Sequence, residues 1–262
     1  MNTQTSLPIS ALNEFSRYAD IKRLGFILDA IRKHIGNSGS ILDVGCGNGV
    51  ISRYIGEHGY TVLGIDVSDK TIAAAQTANK LSNVEFKVLS AESLVADGKQ
   101  YDAVICSEVL EHLTDPNKLL GTLQNVVAEN GILIVTVPNG KGPRESLVTR
   151  PVINLQKKQN FTWRALNRMK KLLGYSGTTT QSSADDLQHI QFFSKNDVFA
   201  MAQLNGFQIV DFGNSNFIDD IFPVSLVARK AKWLQRADSK LADMLPHQFA
   251  GGFFTVWQKR KK

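Results

Sequence analysis

The chain has 262 residues, 43% of them hydrophobic, enough for one large domain with a substantial core. No apolar run reaches the ~18 residues that span a bilayer, which excludes a membrane-spanning helix. The formal charge of +6 is uneven: from Lys141 to Gly174 nine basic residues face one acid, Glu145, so that segment carries +8 and the remainder −2.

Residues 14–35 predict a leading helix, with Ile21, Leu24, Ile27, Leu28, Ile31 and Ile35 at helical spacing. A strand over 40–45 leads through a glycine-rich turn into a helix over 49–57. Strand two, 60–66, ends at Asp66, and Ser68 caps a helix over 69–80. Strands three and four follow over 84–89 and 101–107. Asp115 and Pro116 start a helix that the spacing ends near Asn130 and Gly131, where strand five begins and runs to 137. Ser194 to Asp197 read as a capping box for a helix to about 205; Gly206 and Phe207 open a sixth strand, and Gly252 to Gln258 form the last. Alternating strands and helices imply an α/β fold whose parallel sheet is covered on both faces, with ligands at the C-terminal strand ends.

The first eight residues show no basic stretch followed by an apolar one, so no secretory leader is expected. Cys46 and Cys106 are too few for a disulfide framework and suit a reducing cytoplasm as small packing residues.

The densest signal is Ile41-Leu42-Asp43-Val44-Gly45-Cys46-Gly47-Asn48-Gly49. A β-branched run ends in an acid, and three glycines at alternate positions leave the backbone open to a ligand. A dinucleotide-binding turn needs G-x-G-x-x-G, but here the third glycine comes one residue early and Val50 takes its place, so the spacing suits a ligand without a pyrophosphate.

Asp43-x-Gly45-x-Gly47-x-Gly49 resembles motif I of the class I S-adenosylmethionine-dependent methyltransferases. In order along the chain, Gly64 to Ser68, Ser90-Ala91-Glu92, Cys106 to Leu113 and Val137 to Gly140 resemble the same family. The resemblance implies a doubly wound, seven-stranded, mostly parallel sheet in a Rossmann-like methyltransferase fold. Its last strand would insert antiparallel beside strand five. It implies one domain over 1–262 with a basic lid or substrate segment inserted at about 140–188.

For the cofactor, S-adenosyl-L-methionine, the resemblance implies that Gly45, Gly47 and Gly49 let the backbone approach. Asp43 would order the turn or reach the cofactor amino group through water. Asp66 would accept both ribose hydroxyls, and Val67 would pack on adenine. Ser90 stands where the family often carries an acid, leaving the adenine edge to Ser90 and backbone at Ala91, with Glu92 solvated. The Cys106 and Ser107 carbonyls would meet the amino group.

A hydroxyl acceptor needs a proton sink within reach. His112, after strand four, is the first candidate, because an unperturbed imidazole titrates near pH ~6.5. His189 is the second; His189 to Ser194 resembles the H-x-x-F-[FT]-S segment of many small-molecule methyltransferases, where the chain returns over the active-site mouth. The other histidines read as remote from the mouth: His34 and His58 at helix ends, His247 at the surface.

Glu108, Glu111, His112 and His189 together resemble the divalent-metal site of small-RNA 2′-O-methyltransferases and of some ubiquinone-pathway enzymes, which would hold Mg²⁺ or Mn²⁺. The same Glu-His segment occurs in relatives that use no metal. The main expectation is therefore O-methylation of a small-molecule or glycan-type acceptor by a cytoplasmic enzyme of the ubiquinone-biosynthesis or polysaccharide-associated kind. The alternatives are a metal-assisted RNA 2′-O-methyltransferase and a non-catalytic cofactor-binding protein. Trp163 to Leu173 form an amphipathic pattern with Arg164, Arg168 and Lys171 on one side. Its readings are a lid helix, a site for phosphorylated acceptors, peripheral contact with an anionic membrane through 141–174, or nucleic acid.

Overall fold

The computed structural model describes residues 14–15, 17–95, 98–143, 190–219, 221, 224–228 and 231–260. His189, the pattern at 163–173 and nearly all of the basic segment fall outside them.

Helix α1 (Tyr18–His34) precedes β1 (Ser40–Val44), α2 (Val50–Glu57), β2 (Thr61–Asp66), α3 (Asp69–Ala78), β3 (Val84–Val88), α4 (Ala91–Val95) and β4 (Tyr101–Ser107). A 3-10 turn (Leu110–His112), α5 (Pro116–Val126) and β5 (Val127–Pro138) follow. After the basic segment come α6 (Lys195–Leu204), β6 (Phe207–Asn214), α7 (Val224–Ala228), α8 (Lys232–Met244), a 3-10 turn (His247–Phe249) and β7 (Gly252–Lys259). The seven strands lie in the order β3-β2-β1-β4-β5-β7-β6, with β7 antiparallel to β5 and β6 and the other pairs parallel. The order reverses at β1 and β4, and the crevice beyond their C-terminal ends is where such sheets bind ligands.

Strand alternation sorts the core into two layers. Ile41, Ala103, Ile105, Ile132 and Ile134 pack with α1 and α2, whereas Leu42, Val104, Cys106, Leu133 and Val135 pack with α5 and α6. Trp257 in β7 is fully buried, and its indole N–H donates to Thr255 Oγ1 at 2.7 Å.

Local chemistry sets the helix starts. The Ser68 hydroxyl caps α3, Asp115 caps α5 with Pro116 in its first turn, and Ser194 and Asp197 form a reciprocal capping box on α6. Helix α5 ends at Val126, four residues before the expected stop. The chain enters β5 at Val127, loops out 128–131 and regains register at Ile132 opposite Ala103. A Cβ on Gly131 would lie 2.8 Å from the Asp102 carbonyl oxygen, so glycine there marks close backbone approach inside the strand rather than the end of a helix.

Buried Asn139 fastens the exit of β5. Its Nδ2 donates to the carbonyls of Ala250 (2.8 Å) and Gln248 (3.2 Å), and its Oδ1 accepts from Lys141 N–H (3.0 Å). Asn139→Ala would orphan these groups and is expected to cost about 2–4 kcal/mol, read as a lower denaturant midpoint at unchanged slope.

Candidate active site

The glycine turn is held from both sides. Gly45, Gly47 and Gly49 take φ of 69°, 55° and 75°, conformations that side chains resist. A Cβ on Gly45 would meet Val109 Cγ2 at 2.6 Å, and one on Gly49 would strike the Phe86 ring. Gly45 and Cys46 N–H both donate to the Ile65 carbonyl, tying the turn to β2.

Asp66 sits beside this turn. One carboxylate oxygen accepts from Gly47 N–H at 3.0 Å, the other from Ser68 N–H at 2.9 Å. A carboxylate pinned this way keeps lone pairs for vicinal hydroxyls. The next residue, Val67, is 75% exposed, an apolar surface placed where a flat ring could cover it. These features fit the cofactor expectation: a Cβ-free cradle, a fixed hydroxyl acceptor and an uncovered apolar face.

Asp43 lies underneath. It is buried, and its Oδ2 accepts from Ser52 Oγ of α2 at 2.5 Å, so it orders the turn through the following helix. Burial pushes its pKa up to about 7; the Ser52 bond opposes the rise and nearby Asp66 adds to it. An acid whose folded pKa exceeds its unfolded ~3.9 keeps a proton the unfolded chain has lost. Its stabilising contribution is complete below about pH 4 and is lost as pH rises to about 7. Asp43→Asn keeps an acceptor for Ser52 without the charge. In urea unfolding its stability is expected to gain on the native chain by roughly 2–4 kcal/mol between those limits, and then to stay level.

At the expected adenine edge, Ser90 Oγ lies 3.2 Å from Ser93 Oγ, and Ala91 is buried at the start of α4. Glu92 is exposed, 3.7 Å from Lys118. The hydrogen bonds of its helix turn hold its carboxyl below the usual range. Both cysteines are buried with thiols pushed up by burial, as packing residues would be.

Past β4 the backbone turns sharply. Ser107 Oγ lies 2.9 Å from Thr136 Oγ1, and Glu108 adopts φ 57°, a left-handed conformation costly for a residue with a Cβ. Glu108 Oε1 accepts from Thr136 Oγ1 at 3.0 Å and pairs with Arg23 at 3.3 Å; Arg23 also pairs with Asp20 at 3.1 Å. Glu108, Arg23 and Asp20 line a cavity of about 50 Å³ between the start of α1 and the ends of β5, β6 and β7. Arg17, Arg23, Asp20 and Glu108 balance in charge, Asn216 adds an amide, and Pro138, Phe217 and Phe254 supply apolar wall.

Glu111 is 1% exposed, and neither carboxyl oxygen has a hydrogen-bond partner. Burial and, secondarily, Glu108 raise its pKa well above the usual carboxylate range. Nε2 of His112 lies 3.8 Å from Glu111 Oε1. Among the described residues no three His, Cys, Asp or Glu gather as a metal set. Glu108 is held by Arg23 and a hydroxyl, burial favours the neutral form of Glu111, and His189 lies outside the described residues.

The returning segment does reach this turn. Ile190 and Gln191 N–H donate to the Glu111 carbonyl at 2.8 and 3.0 Å, and Gly140 N–H donates to Phe193 O at 2.8 Å. A Cβ on Gly140 would collide with the Phe192 backbone.

His34 Nε2 meets Asp211 at 2.6 Å and His58 Nδ1 meets the Tyr54 carbonyl at 2.8 Å, both in structural roles. His247 corrects the surface expectation: it is half-buried, its Nδ1 lies 2.8 Å from Asn214 Oδ1, and its ring packs 4.4 Å from that of Phe212. The sequence reading missed Arg23, Asp20, Thr136 and Asn216. An Asp and an Arg three apart on the apolar face of α1 were the available sign of a buried ion pair.

A family model described as a methyltransferase domain matches residues 15–211. The ubiquinone biosynthesis O-methyltransferase of Pseudomonas fluorescens is 34% identical over 131 residues, 48% of this chain and 56% of that protein. The chain thus spans about half the length of the curated relatives it matches. Magnesium protoporphyrin IX methyltransferase from Synechocystis PCC 6803, solved with bound SAH, shares the fold at TM-score 0.55 and 16% identity, over 93% of this chain and 84% of that one. The [4+2]-cyclase SpnF shares it at 0.54 and 17%, over 90% and 81%, so the fold alone does not fix the reaction. Among the described residues no helix is long and apolar enough to cross a membrane. The turn, the Asp66 clamp, the strand order and the match over three quarters of the chain agree: this chain belongs to the methyltransferase-domain family and has the class I methyltransferase fold.

Proposed function

We propose that the chain methylates a hydroxyl oxygen of a small, uncharged acceptor whose hydroxyl end reaches the cavity beside Glu108 and Arg23. The observation that carries this reading is the charge balance of that cavity: two arginines and two acids, with apolar wall and one amide. Such a lining favours a neutral hydroxylated compound over a phosphorylated one, since a polyphosphate would need uncompensated cations. The P. fluorescens relative, an O-methyltransferase by name, supports an oxygen acceptor.

S-adenosylmethionine supplies, when bound, a methyl group activated on a sulfonium. The chain's residues do the rest. Gly45 and Gly47 admit the cofactor to the backbone, Asp66 takes the ribose hydroxyls, Val67 covers adenine, and Ser90, Ala91 and Ser107 complete the rim. Glu108, fixed by Thr136 and Arg23, orients the acceptor hydroxyl. His112 takes the acceptor proton; its Nε2 lies 3.8 Å from Glu111 Oε1, which limits how far the ring can turn. His189 is a second contributor, proposed from its place in the sequence alone. This route needs no metal, because Arg23 supplies the positive charge a cation would bring to Glu108.

The test is label transfer from methyl-labelled cofactor to a panel of neutral phenols and catechols, phosphorylated sugars and short RNA. Label on oxygen of the neutral compounds is expected; label confined to RNA or to phosphorylated sugars would overturn the reading.

A further inference from the structure

Helix α8 presents polar residues inward and apolar residues outward. Its buried face is Gln235, Asp238, Ser239 and Ala242. Gln235 accepts from Tyr18 N–H at 2.7 Å and donates to the Ala228 carbonyl at 2.8 Å. Asp238 accepts from Phe217 and Ile218 N–H at 2.7 and 3.0 Å, and the Ser239 carbonyl accepts from Lys22 at 2.9 Å. These bonds lock the helix onto α1 and onto the loop after β6. They also leave Trp233 72%, Met244 83% and Leu241 43% exposed.

At ~100° per residue, Trp233, Met244, Ala237 and Leu241 share one stripe about 80° wide. Lys240, Arg236 and Lys232, all exposed, follow along one edge of that stripe. Exposed Val227 on α7 and Phe249 on the last 3-10 turn, elements packed against α8, add apolar surface nearby. The acids of the helix are engaged elsewhere: Asp238 faces the loop, and Asp243 pairs with Lys22 at 2.7 Å.

We propose that this outer face of α8 lies on an anionic lipid surface, with Trp233, Leu241 and Met244 at the headgroup–acyl boundary and Lys232, Arg236 and Lys240 on lipid phosphates. An apolar stripe edged by lysine and arginine has the composition of an interfacial helix. Charge selects this occupant. The chain's own 141–174 segment carries +8 and would be repelled by the same three cations, as would the matching face of a second copy. An anionic bilayer complements both the stripe and its edge. Because the inner face of α8 holds the loop carrying Asn216 and Phe217, docking would set the acceptor cavity close to the membrane.

The experiment uses the full chain with vesicles of phosphatidylcholine alone and of phosphatidylcholine mixed with phosphatidylglycerol. Partition onto the mixed vesicles is expected to fall at least ~30-fold in Lys232→Glu/Lys240→Glu and by a similar factor in Trp233→Ala/Met244→Ala. These side chains are exposed, so circular dichroism and cofactor affinity should stay unchanged. In a Trp163→Phe background vesicles should blue-shift the tryptophan emission, and adding Trp233→Phe should abolish the shift, since Trp257 is already buried. Reversal of Arg164, Arg168 and Lys171 separates the two basic regions. Partition lost only in that variant would overturn the proposal. So would no binding to mixed vesicles, or a dimer that Trp233→Ala/Met244→Ala dissociates without any vesicle binding. Cofactor binding or methyl transfer failing in the unaltered chain would count against the reading above and leave this one standing.

Discussion

Replacing Asp66 with alanine is expected to weaken S-adenosylmethionine binding by roughly 30- to 1000-fold, the loss of about 2–4 kcal/mol of charge-assisted hydrogen bonding. The substitution removes two things at once: the proposed acceptor for the ribose hydroxyls, and the carboxylate that fixes Gly47 N–H and Ser68 N–H. Asp66→Asn separates them. Its carbonyl oxygen can accept from only one of the two N–H groups, and its amide cannot accept two hydroxyls, so affinity should still fall at least ~10-fold while the fold survives. Isothermal calorimetry reads both. Near-native affinity in both variants would remove Asp66 from the site. Gly47→Val should abolish binding outright, since a branched side chain at φ 55° must displace the turn as well as fill the cradle.

His112→Gln is expected to lower kcat by about 10²- to 10⁴-fold with little change in KM, the usual range for losing a proton acceptor. Glu108→Gln should behave differently. It keeps an acceptor for Thr136 but weakens the Arg23 pair, so the oriented acceptor suffers more than the chemistry, and KM should rise more than kcat falls. Chelator should leave the unaltered protein active. Loss of turnover on chelation, restored by Mg²⁺ or Mn²⁺, would return Glu108, Glu111, His112 and His189 to the role of a metal set. Unchanged kcat in His112→Gln would remove it as the base.

The part of the fold legible in the sequence is the part built from repeating local signals. The β-branched runs at 41–44, 62–65 and 103–106, the glycine turn at 45–49, Asp115-Pro116 and Ser194-x-x-Asp197 are such signals, and the elements they mark form within a few residues of their expected places. Helix α5 stops early because register with β4, not local propensity, decides where β5 begins. Helix α8 drew no expectation because its buried face is Gln, Asp and Ser, and the contacts that hold it are hydrogen bonds to α1 and to a loop some 200 and 20 residues away in the chain.

The site divides the same way. The glycine turn and Asp66 are contiguous motifs at strand ends, and the sequence showed them whole. The cavity is assembled from α1, the turn after β4, the end of β5, the loop after β6 and the start of β7. Arg23 and Asn216 lie far from the motif region in sequence, and only the sheet order brings them to Glu108. The strain at Glu108 was invisible because nothing in Ser107-Glu108-Val109 requires a positive φ.

The most direct measurement is methyl transfer itself: labelled S-adenosylmethionine with neutral phenolic acceptors, run on the unaltered chain beside Asp66→Ala and His112→Gln. The account expects labelled ether on an acceptor oxygen, almost none with Asp66→Ala at cofactor concentrations near the native Kd, and slow transfer with His112→Gln at saturating cofactor. Cofactor bound tightly with no methyl transferred to any oxygen acceptor, or equal transfer by all three proteins, would contradict it.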